Sequence, residues 1–115
     1  MVTKKIREHG VLLGKIEFGD EHVEIEDPNK RNLVAEVSIK EPRVFNRGMK
    51  PRIVAVDCGI KNNIIRCLCE RNVEVTVVPF DYDLRAHRDE YDGIFLSNGP
   101  GNPEMAKATI DQLKW

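Results

Sequence analysis

Three short apolar runs after Pro51 predict three β-strands. Each run is too short for a helix, and continuous apolar character is typical of a parallel strand that is buried on both faces. Between the first two runs, Ile60, Ile64 and Leu68 recur at helical spacing, so a helix is expected there that ends near Arg71. The predicted strands cover residues 53–56, 73–78 and 93–96.

The order of these elements predicts the fold class. Two parallel strands joined by a helix form a right-handed unit, and a polar connection over residues 80–90, with one helical turn, leads to the third strand. A further helix follows, whose inner stripe contains Ala106, Thr109, Ile110 and Leu113. This alternation predicts an α/β fold, namely the start of a doubly wound parallel sheet of the flavodoxin-like kind.

The junction between the third strand and the last helix is the strongest candidate for a functional site. It contains Gly99, Pro100 and Gly101, and Asn102 followed by Pro103 is a typical helix start. Open α/β folds bind ligands where strand ends meet helix N-termini, which offer free N–H groups and positive potential. Pro100 lacks an N–H and would interrupt a phosphate-binding loop, so a fixed pair of donors for one small oxyanion is favoured. A turn without a ligand is the alternative.

The first part of the chain has weaker patterns. Residues 2–8 are predicted to be the end of a helix that stops at Gly10, and short strands are expected at 11–16 and 23–25. Residues 33–37 are apolar but form only a short run. Because so short a stretch cannot bury much of its own surface, it is expected to be the tail of a larger unit.

The polar segment 46–50 is the predicted domain boundary, which divides the chain into residues 1–49 and residues 50–115. The last helix is predicted to reach Trp115 without a glycine, a proline or a cap, and the first helix lacks a recognisable start. Both ends of the chain are therefore expected to lie within elements of a longer protein.

Composition and charge exclude several function classes. The 115 residues include 18 Lys and Arg against 19 Asp and Glu, which gives a formal net charge of −1. A nucleic-acid binder normally has a basic stripe with interleaved aromatic residues, so no nucleic acid is expected as a partner. No apolar run approaches the ~20 residues that span a bilayer. The first residues also lack the apolar core of a signal peptide, so no membrane partner is expected.

The cysteines and histidines do not assemble a catalytic or metal site. Cys58 stands roughly where a nucleophile elbow would place it, but the carboxylate of Asp57 should raise its pKa, so a packing role is expected. Cys67 and Cys69 point in different directions on a helix, and no histidine is at ligand spacing, so no metal is predicted. His87 is expected to be solvated. No residue of the chain is assigned as catalytic.

Two segments together resemble one family. Residues 54–66 (VAVDCGIKNNIIR) and 95–103 (FLSNGPGNP) are similar to the glutaminase, a class I glutamine amidotransferase, of carbamoyl-phosphate synthetase. Residues 3–10 and 33–38 resemble the end of the small-subunit N-terminal domain that precedes this glutaminase. The similarity is closest to animal-type forms, in which the region belongs to one long polypeptide. Such forms include the fused enzyme of pyrimidine biosynthesis and the mitochondrial enzyme of the urea cycle, and other members serve arginine biosynthesis.

The resemblance implies roles for two glycines. Gly99 and Gly101 match residues that contact substrate glutamine, and the Gly99 N–H matches an oxyanion-hole donor. The family's nucleophilic cysteine, histidine and glutamate stand later in its sequence, so this chain is expected to hold half of a binding site.

The resemblance also implies partners and a location. The expected partners are glutamine and the synthetase large subunit or synthetase domains, where ATP and magnesium act; no cofactor is expected in this chain itself. The expected location is the cytoplasm, with the mitochondrial matrix as the alternative. Two other functions remain open: a noncatalytic amidotransferase-like module that docks on an ammonia-dependent synthetase, and a flavodoxin-like binder of a small ligand.

Overall fold

The computed structural model of the chain describes residues 2–114 and is built around a four-stranded mixed sheet. Strands β1 (Arg43–Phe45), β2 (Arg52–Asp57), β3 (Glu74–Pro79) and β4 (Gly93–Leu96) are arranged in the order β1-β3-β2-β4. Strand β2 pairs in parallel with β3 and β4, whereas β1 is antiparallel to β3. The three strands predicted from the apolar runs are thus confirmed. The sequence does not predict β1, because its three residues stand between polar segments and its partner is remote in sequence.

Helices cover both faces of this sheet. On one face, Ile65 of α3 packs with Ala55, Val75 and Val77. On the other face, Val34 of α2 and Ala106, which precedes α4, belong to a cluster that includes Val54 and Val56 of β2 and Val78 of β3. The predicted doubly wound α/β arrangement is therefore confirmed. The helices are α1 (Val2–His9), α2 (Leu33–Val37), α3 (Asn62–Cys69) and α4 (Lys107–Gln112), with 3₁₀ turns at Pro28–Lys30, Arg88–Glu90 and Pro103–Met105.

The N-terminal part differs from the sequence prediction. Helix α1 and the left-handed Gly10 after it agree with the expected helix end, but residues 11–16 and 23–25 form no strand. Their apolar side chains are exposed, as at Val11 (89%) and Ile16 (94%), and a strand is stable only with a paired neighbour. The short apolar run 33–37 is helix α2, which is capped by the side chain of Asn32.

Strand β4 and helix α4 are less buried than predicted. Ile94 and Leu96 are 39% and 47% exposed, because β4 pairs only with β2 among the described residues. Helix α4 ends at Gln112 rather than running on, and Trp115 lies outside the described residues. Of the residues expected on the buried face of this helix, Thr109 is buried, whereas Leu113 is 39% exposed. One side of the sheet therefore keeps an apolar surface next to the β4 loop.

No helix within residues 2–114 is both long enough and apolar enough to cross a membrane.

Candidate functional site

The loop that follows β4 lies against the turn that follows β2, at the carboxyl edge of both parallel strands. An ideal Cβ atom on Gly99 would overlap the carbonyl oxygen of Cys58 and would lie 3.1 Å from its Cβ atom. This close approach of two backbones requires a glycine at position 99. Gly99 therefore allows the backbones of the two loops to pack directly against each other.

Gly101 has a different reason to be glycine. Its φ angle is +75°, in the left-handed region that side chains disfavour. A Cβ atom there would meet the Cδ1 atom of Leu33 at 3.3 Å, which is a flexible side chain of α2 rather than backbone. The conformation of the loop, more than its packing, thus selects glycine at this position.

Two backbone N–H groups of the glycine loop are without an acceptor among the described residues. Neither the Gly99 N–H nor the Gly101 N–H donates a hydrogen bond to an acceptor within residues 2–114, and Pro100 between them has no N–H. Unpaired N–H groups in a rigid turn beside a cavity are suited to an oxyanion. The assignment of Gly99 and Gly101 to an oxyanion site stays a prediction.

Ser97 connects the two loops through its hydroxyl group. The side chain is 7% exposed, and its Oγ accepts a hydrogen bond from the Cys58 N–H at 2.9 Å. The same hydroxyl donates to the carbonyl oxygen of Asn98 at 3.0 Å. These two bonds use the only proton of the hydroxyl and one of its two lone pairs. Ser97 therefore sets the relation between the end of β4 and the turn after β2.

Asp57 performs a similar task at the end of β2. This residue is 3% exposed, and its Oδ1 atom accepts the Gly59 N–H at 2.8 Å and the Ile60 N–H at 2.7 Å. Its Oδ2 atom accepts the Ile39 N–H at 2.9 Å, which attaches the segment after α2 to the same turn. Three backbone donors compensate the burial of this carboxylate, so the turn that contacts Gly99 is fixed from two sides.

Two cavities adjoin the glycine loop. One, of about 330 Å³, is largely apolar and is lined by Cys58, Thr109 and Leu113 as well as by the loop. The other, of about 460 Å³, is lined by the loop together with Gly59, Lys61 and Ile64. Asn98, Gly99 and Pro100 line both cavities, so the loop separates an apolar compartment from one that contains a cationic side chain.

The helix dipole contributes less here than the sequence suggests. Asn102 accepts the Glu104 N–H as expected, but the turn it caps is a 3₁₀ turn of three residues. The backbone of Ala106, with a ψ angle of 48°, separates this turn from the six-residue helix α4. A helix macrodipole requires continuous aligned peptide units. The prediction that a helix dipole adds positive potential at the loop is therefore wrong. The local N–H groups remain.

The sequence over residues 54–115 matches the family model described as glutamine amidotransferase class-I. The chain belongs to this family. The match contains both segments that build the site, the β2 turn and the glycine loop after β4. The amidotransferase region therefore coincides with the part of the chain that forms the parallel sheet.

Individual relatives extend the similarity over nearly the whole chain. The mitochondrial carbamoyl-phosphate synthase [ammonia] of Aquarana catesbeiana is 56% identical over 99% of the chain. The multifunctional protein CAD of Squalus acanthias is 54% identical over 98%, and the arginine-specific small chain of carbamoyl phosphate synthase of Saccharomyces cerevisiae is 46% identical over 98%. The chain spans only 8%, 5% and 28% of these three relatives. It is thus similar to the amidotransferase region of carbamoyl-phosphate synthases.

Two of the three cysteines in this amidotransferase region pack in or against the apolar clusters. Cys58 is 6% exposed, and burial raises its pKa; the charge of Asp57 acts in the same direction, and a hydrogen bond with Thr109 opposes both. The expected direction is therefore confirmed, but burial rather than Asp57 is the larger cause. Cys69 packs beside the apolar cluster under α3, and Cys67 is half-buried.

The side chain of His87 is 40% exposed and also contacts two neighbouring side chains. Its ring stacks on Tyr82 with centroids 5.0 Å apart, and its Nδ1 atom lies 2.9 Å from Glu90 Oε1. These residues line a separate cleft on the sheet surface that the glycine loop does not reach. Within residues 2–114, no group of three or more His, Cys, Asp or Glu side chains could hold a metal ion.

Sequence reasoning does not identify Ser97 or Asp57 as residues that organise the site. Their common signal is a small polar side chain directly after an apolar strand, beside a turn that contains glycine. Such a residue is buried at the end of its strand and must find backbone partners there. The partners of Ser97 and Asp57 include residues that are distant in sequence, which the pattern alone does not reveal.

Cys58 is expected to react slowly with iodoacetamide at pH 7, because the thiolate is the reactive form and the raised pKa keeps the thiol protonated. A raised pKa in the folded state also means that folding is favoured while the thiol is neutral, and this contribution is lost as the pH rises through the folded-state pKa. Peptide mass spectrometry of the alkylated protein between pH 7 and 10 measures the rate. Cys67 serves as the internal control, and equal rates at the two residues at pH 7 would contradict the assignment.

Proposed function

We propose that the full-length protein that carries this chain hydrolyses glutamine and supplies the ammonia for carbamoyl phosphate synthesis. The chain contributes one wall of the glutamine site, with the Gly99 N–H as an oxyanion donor and Gly99 and Gly101 in contact with the substrate. The observation that carries the proposal is the pair of unpaired N–H groups in a glycine loop fixed between two strand ends. The family match and the relatives named as carbamoyl-phosphate synthases support the reaction class.

In this reaction a thiolate attacks the side-chain amide of glutamine, and negative charge develops on the amide oxygen. A backbone N–H that already points to that oxygen stabilises the transition state without reorganisation, which is typically worth about 10²–10³ in rate. Ammonia then leaves, and water hydrolyses the thioester to glutamate. The resemblance to the family implies that the thiolate comes from a cysteine later in the sequence. Cys58 does not suit this role, because it is buried and its pKa is raised.

A second candidate has a specific observation in its favour. Relatives from frog, mouse, rat and human with 50–56% identity are named carbamoyl-phosphate synthase [ammonia]. The full-length protein in this case would use free ammonia, and the present chain would dock the amidotransferase-like domain on the synthetase without catalysis. The CAD protein of Squalus acanthias is 54% identical to the chain. Because this value is close to those of the ammonia-type relatives, sequence identity alone does not decide between the two candidate functions.

The two candidates differ in the nitrogen donor. We expect the full-length protein to form carbamoyl phosphate with glutamine as well as with ammonium chloride, measured in parallel with ATP and magnesium. Gly101→Ala should lower the glutamine-dependent rate by roughly tenfold, because the altered loop displaces an oriented donor. The ammonia-dependent rate should stay unchanged. Activity with ammonia alone in the unaltered protein would favour the second candidate and reject the first.

The partners and location follow from the same proposal. The expected partner is a synthetase large subunit or synthetase domains in the same polypeptide, which use ATP and magnesium. The proposed location is the cytoplasm, with the mitochondrial matrix as the alternative that the names of the frog and mammalian relatives support. The division into residues 1–49 of the small-subunit N-terminal domain and residues 50–115 of the glutaminase stays a prediction.

A further inference from the structure

We propose that Ser97 is a positioning residue that sets the direction of the Gly99 N–H. The inference rests on the proposed function, because it explains how the oxyanion donor is held in place. It concerns a side chain that does not itself touch glutamine, and it assigns the orientation of the donor to one hydrogen bond.

The first step concerns the peptide unit between Asn98 and Gly99. The Asn98 carbonyl and the Gly99 N–H belong to one planar trans peptide and point in opposite directions. The Ser97 hydroxyl donates to that carbonyl at 3.0 Å, which holds the carbonyl on the inner side of the loop. The Gly99 N–H must then point to the opposite side, where it has no acceptor within residues 2–114.

The second step concerns what holds the hydroxyl itself. Ser97 Oγ accepts the Cys58 N–H at 2.9 Å, and the Ser97 N–H donates to the carbonyl oxygen of Val56 at 3.2 Å. Both contacts are made to β2 or the turn after it, so the residue is fixed by its backbone and by its side chain. Because the hydroxyl has one proton, accepting from Cys58 leaves that proton for the Asn98 carbonyl. The direction of the donor is thus determined by the end of the neighbouring strand.

The third step is the consequence for catalysis. Gly99 is glycine because of its close contact with Cys58, but glycine also has the freest backbone of any residue. Without the hydroxyl, the Asn98–Gly99 peptide loses the hydrogen bond that fixes its rotation, and the Cys58 N–H loses its acceptor. An oxyanion donor is effective only when it is oriented before the reaction begins. The proposal therefore predicts a loss in kcat rather than in glutamine binding.

Ser38 provides a matched control within the same chain. Its side chain is 4% exposed, its Oγ accepts the Phe80 N–H at 3.0 Å, and it donates to the carbonyl of the next residue, Ile39, at 3.4 Å. Ser97 has the same pattern with the Cys58 N–H and the next carbonyl, that of Asn98. Alanine at either position removes one buried hydroxyl and leaves one backbone N–H without its partner. Only the change at position 97 affects the peptide of the proposed donor.

The experiment compares Ser97→Ala, Ser97→Thr and Ser38→Ala in the full-length protein. For Ser97→Ala we expect kcat of glutamine hydrolysis to fall roughly tenfold to hundredfold with KM changed less than about threefold, as for a misaligned oxyanion donor. Ser97→Thr keeps the hydroxyl and should restore most of kcat. Ser38→Ala should leave kcat within about twofold, and all three variants should keep the ammonia-dependent rate. Equal losses of glutamine hydrolysis in the two alanine variants would overturn the proposal.

Crystal structures of the unaltered protein and of Ser97→Ala supply a readout that does not depend on activity. The proposal expects the Asn98–Gly99 peptide to rotate or to adopt several orientations in the variant, and to keep one orientation in Ser38→Ala. An unchanged peptide in Ser97→Ala would overturn it. If the unaltered protein fails to hydrolyse glutamine, the proposed function is rejected, and these structures still decide whether Ser97 sets the peptide.

Discussion

Replacing Gly99 by alanine is expected to disrupt the contact between the glycine loop and the turn after β2. The new Cβ atom would overlap the Cys58 carbonyl oxygen, and neither partner can rotate away because both belong to the backbone. Overpacking of a rigid site costs on the order of 3 kcal/mol or more when backbone must shift. Hydrogen exchange in the full-length protein should therefore increase in peptides that contain residues 54–60 and 95–103, and glutamine-dependent synthesis should be lost.

Gly14→Ala is the matched control for this substitution. A Cβ atom at Gly14 has nothing within 4 Å, and its φ angle is not in the left-handed region. The two variants share the same added methyl group, so they differ only in what that group contacts. The control should change stability by no more than ~0.5 kcal/mol. Unchanged exchange in both variants would show that the backbones of the two loops are not in close contact.

This contact changes how variants of the loop are to be interpreted. Loss of activity in a Gly99 variant reports the packing of two loops as well as the proposed oxyanion donor, so it does not separate them. Gly101 is the better probe, since the nearest atoms to an added Cβ all belong to the Leu33 side chain and none to the backbone. Its main cost is the positive φ angle, about 1–2 kcal/mol for a residue with a side chain. A Gly101 variant is thus expected to alter the loop without separating it from β2.

The core of the fold is predictable because its determinants are local. Strands β2 and β3 are continuous apolar runs, and such runs are stable only when both faces are covered. Helix α3 follows from apolar spacing, and its end follows from Asn72, which adopts a left-handed φ angle of 58°. The errors in the sequence-based prediction concern the pairing of strands. Residues 11–16 have strand-like composition but no neighbour within the described chain, and β4 is exposed on its unpaired side.

In the candidate site, too, the local features are predictable from the sequence and the contacts between remote segments are not. The two glycines are visible in the sequence because Gly-Pro-Gly beside an apolar run is a local pattern. The groups that orient them are not visible, since the Ser97 hydroxyl meets the Cys58 N–H across 39 residues of sequence. Likewise, Asn32 donates to the carbonyl of Met105 across 73 residues and places α2 beside the loop. Hydrogen bonds between remote segments depend on the folded sheet, and no periodicity encodes them.

The 115-residue chain without further polypeptide is expected to release no ammonia from glutamine. Covalent amide hydrolysis needs a thiolate with a base in hydrogen-bond reach, and the three cysteines do not provide one. Cys58 is buried with a raised pKa, and neither His87 nor any other histidine lines its cavity. Because the missing nucleophile removes the reaction path instead of slowing it, the oxyanion donor alone has no intermediate to stabilise.

The measurement is ammonia release from glutamine by the purified chain, with circular dichroism to verify that the α/β fold is present and the full-length protein as the positive control. The rate should equal that of buffer. Cys58→Ser is the informative variant, since it replaces the one thiol that adjoins the glycine loop while keeping a small polar side chain. Ammonia release above the buffer rate that disappears in folded Cys58→Ser would identify Cys58 as the nucleophile. It would also mean that the apolar cavity, rather than the one beside Lys61, holds the substrate amide.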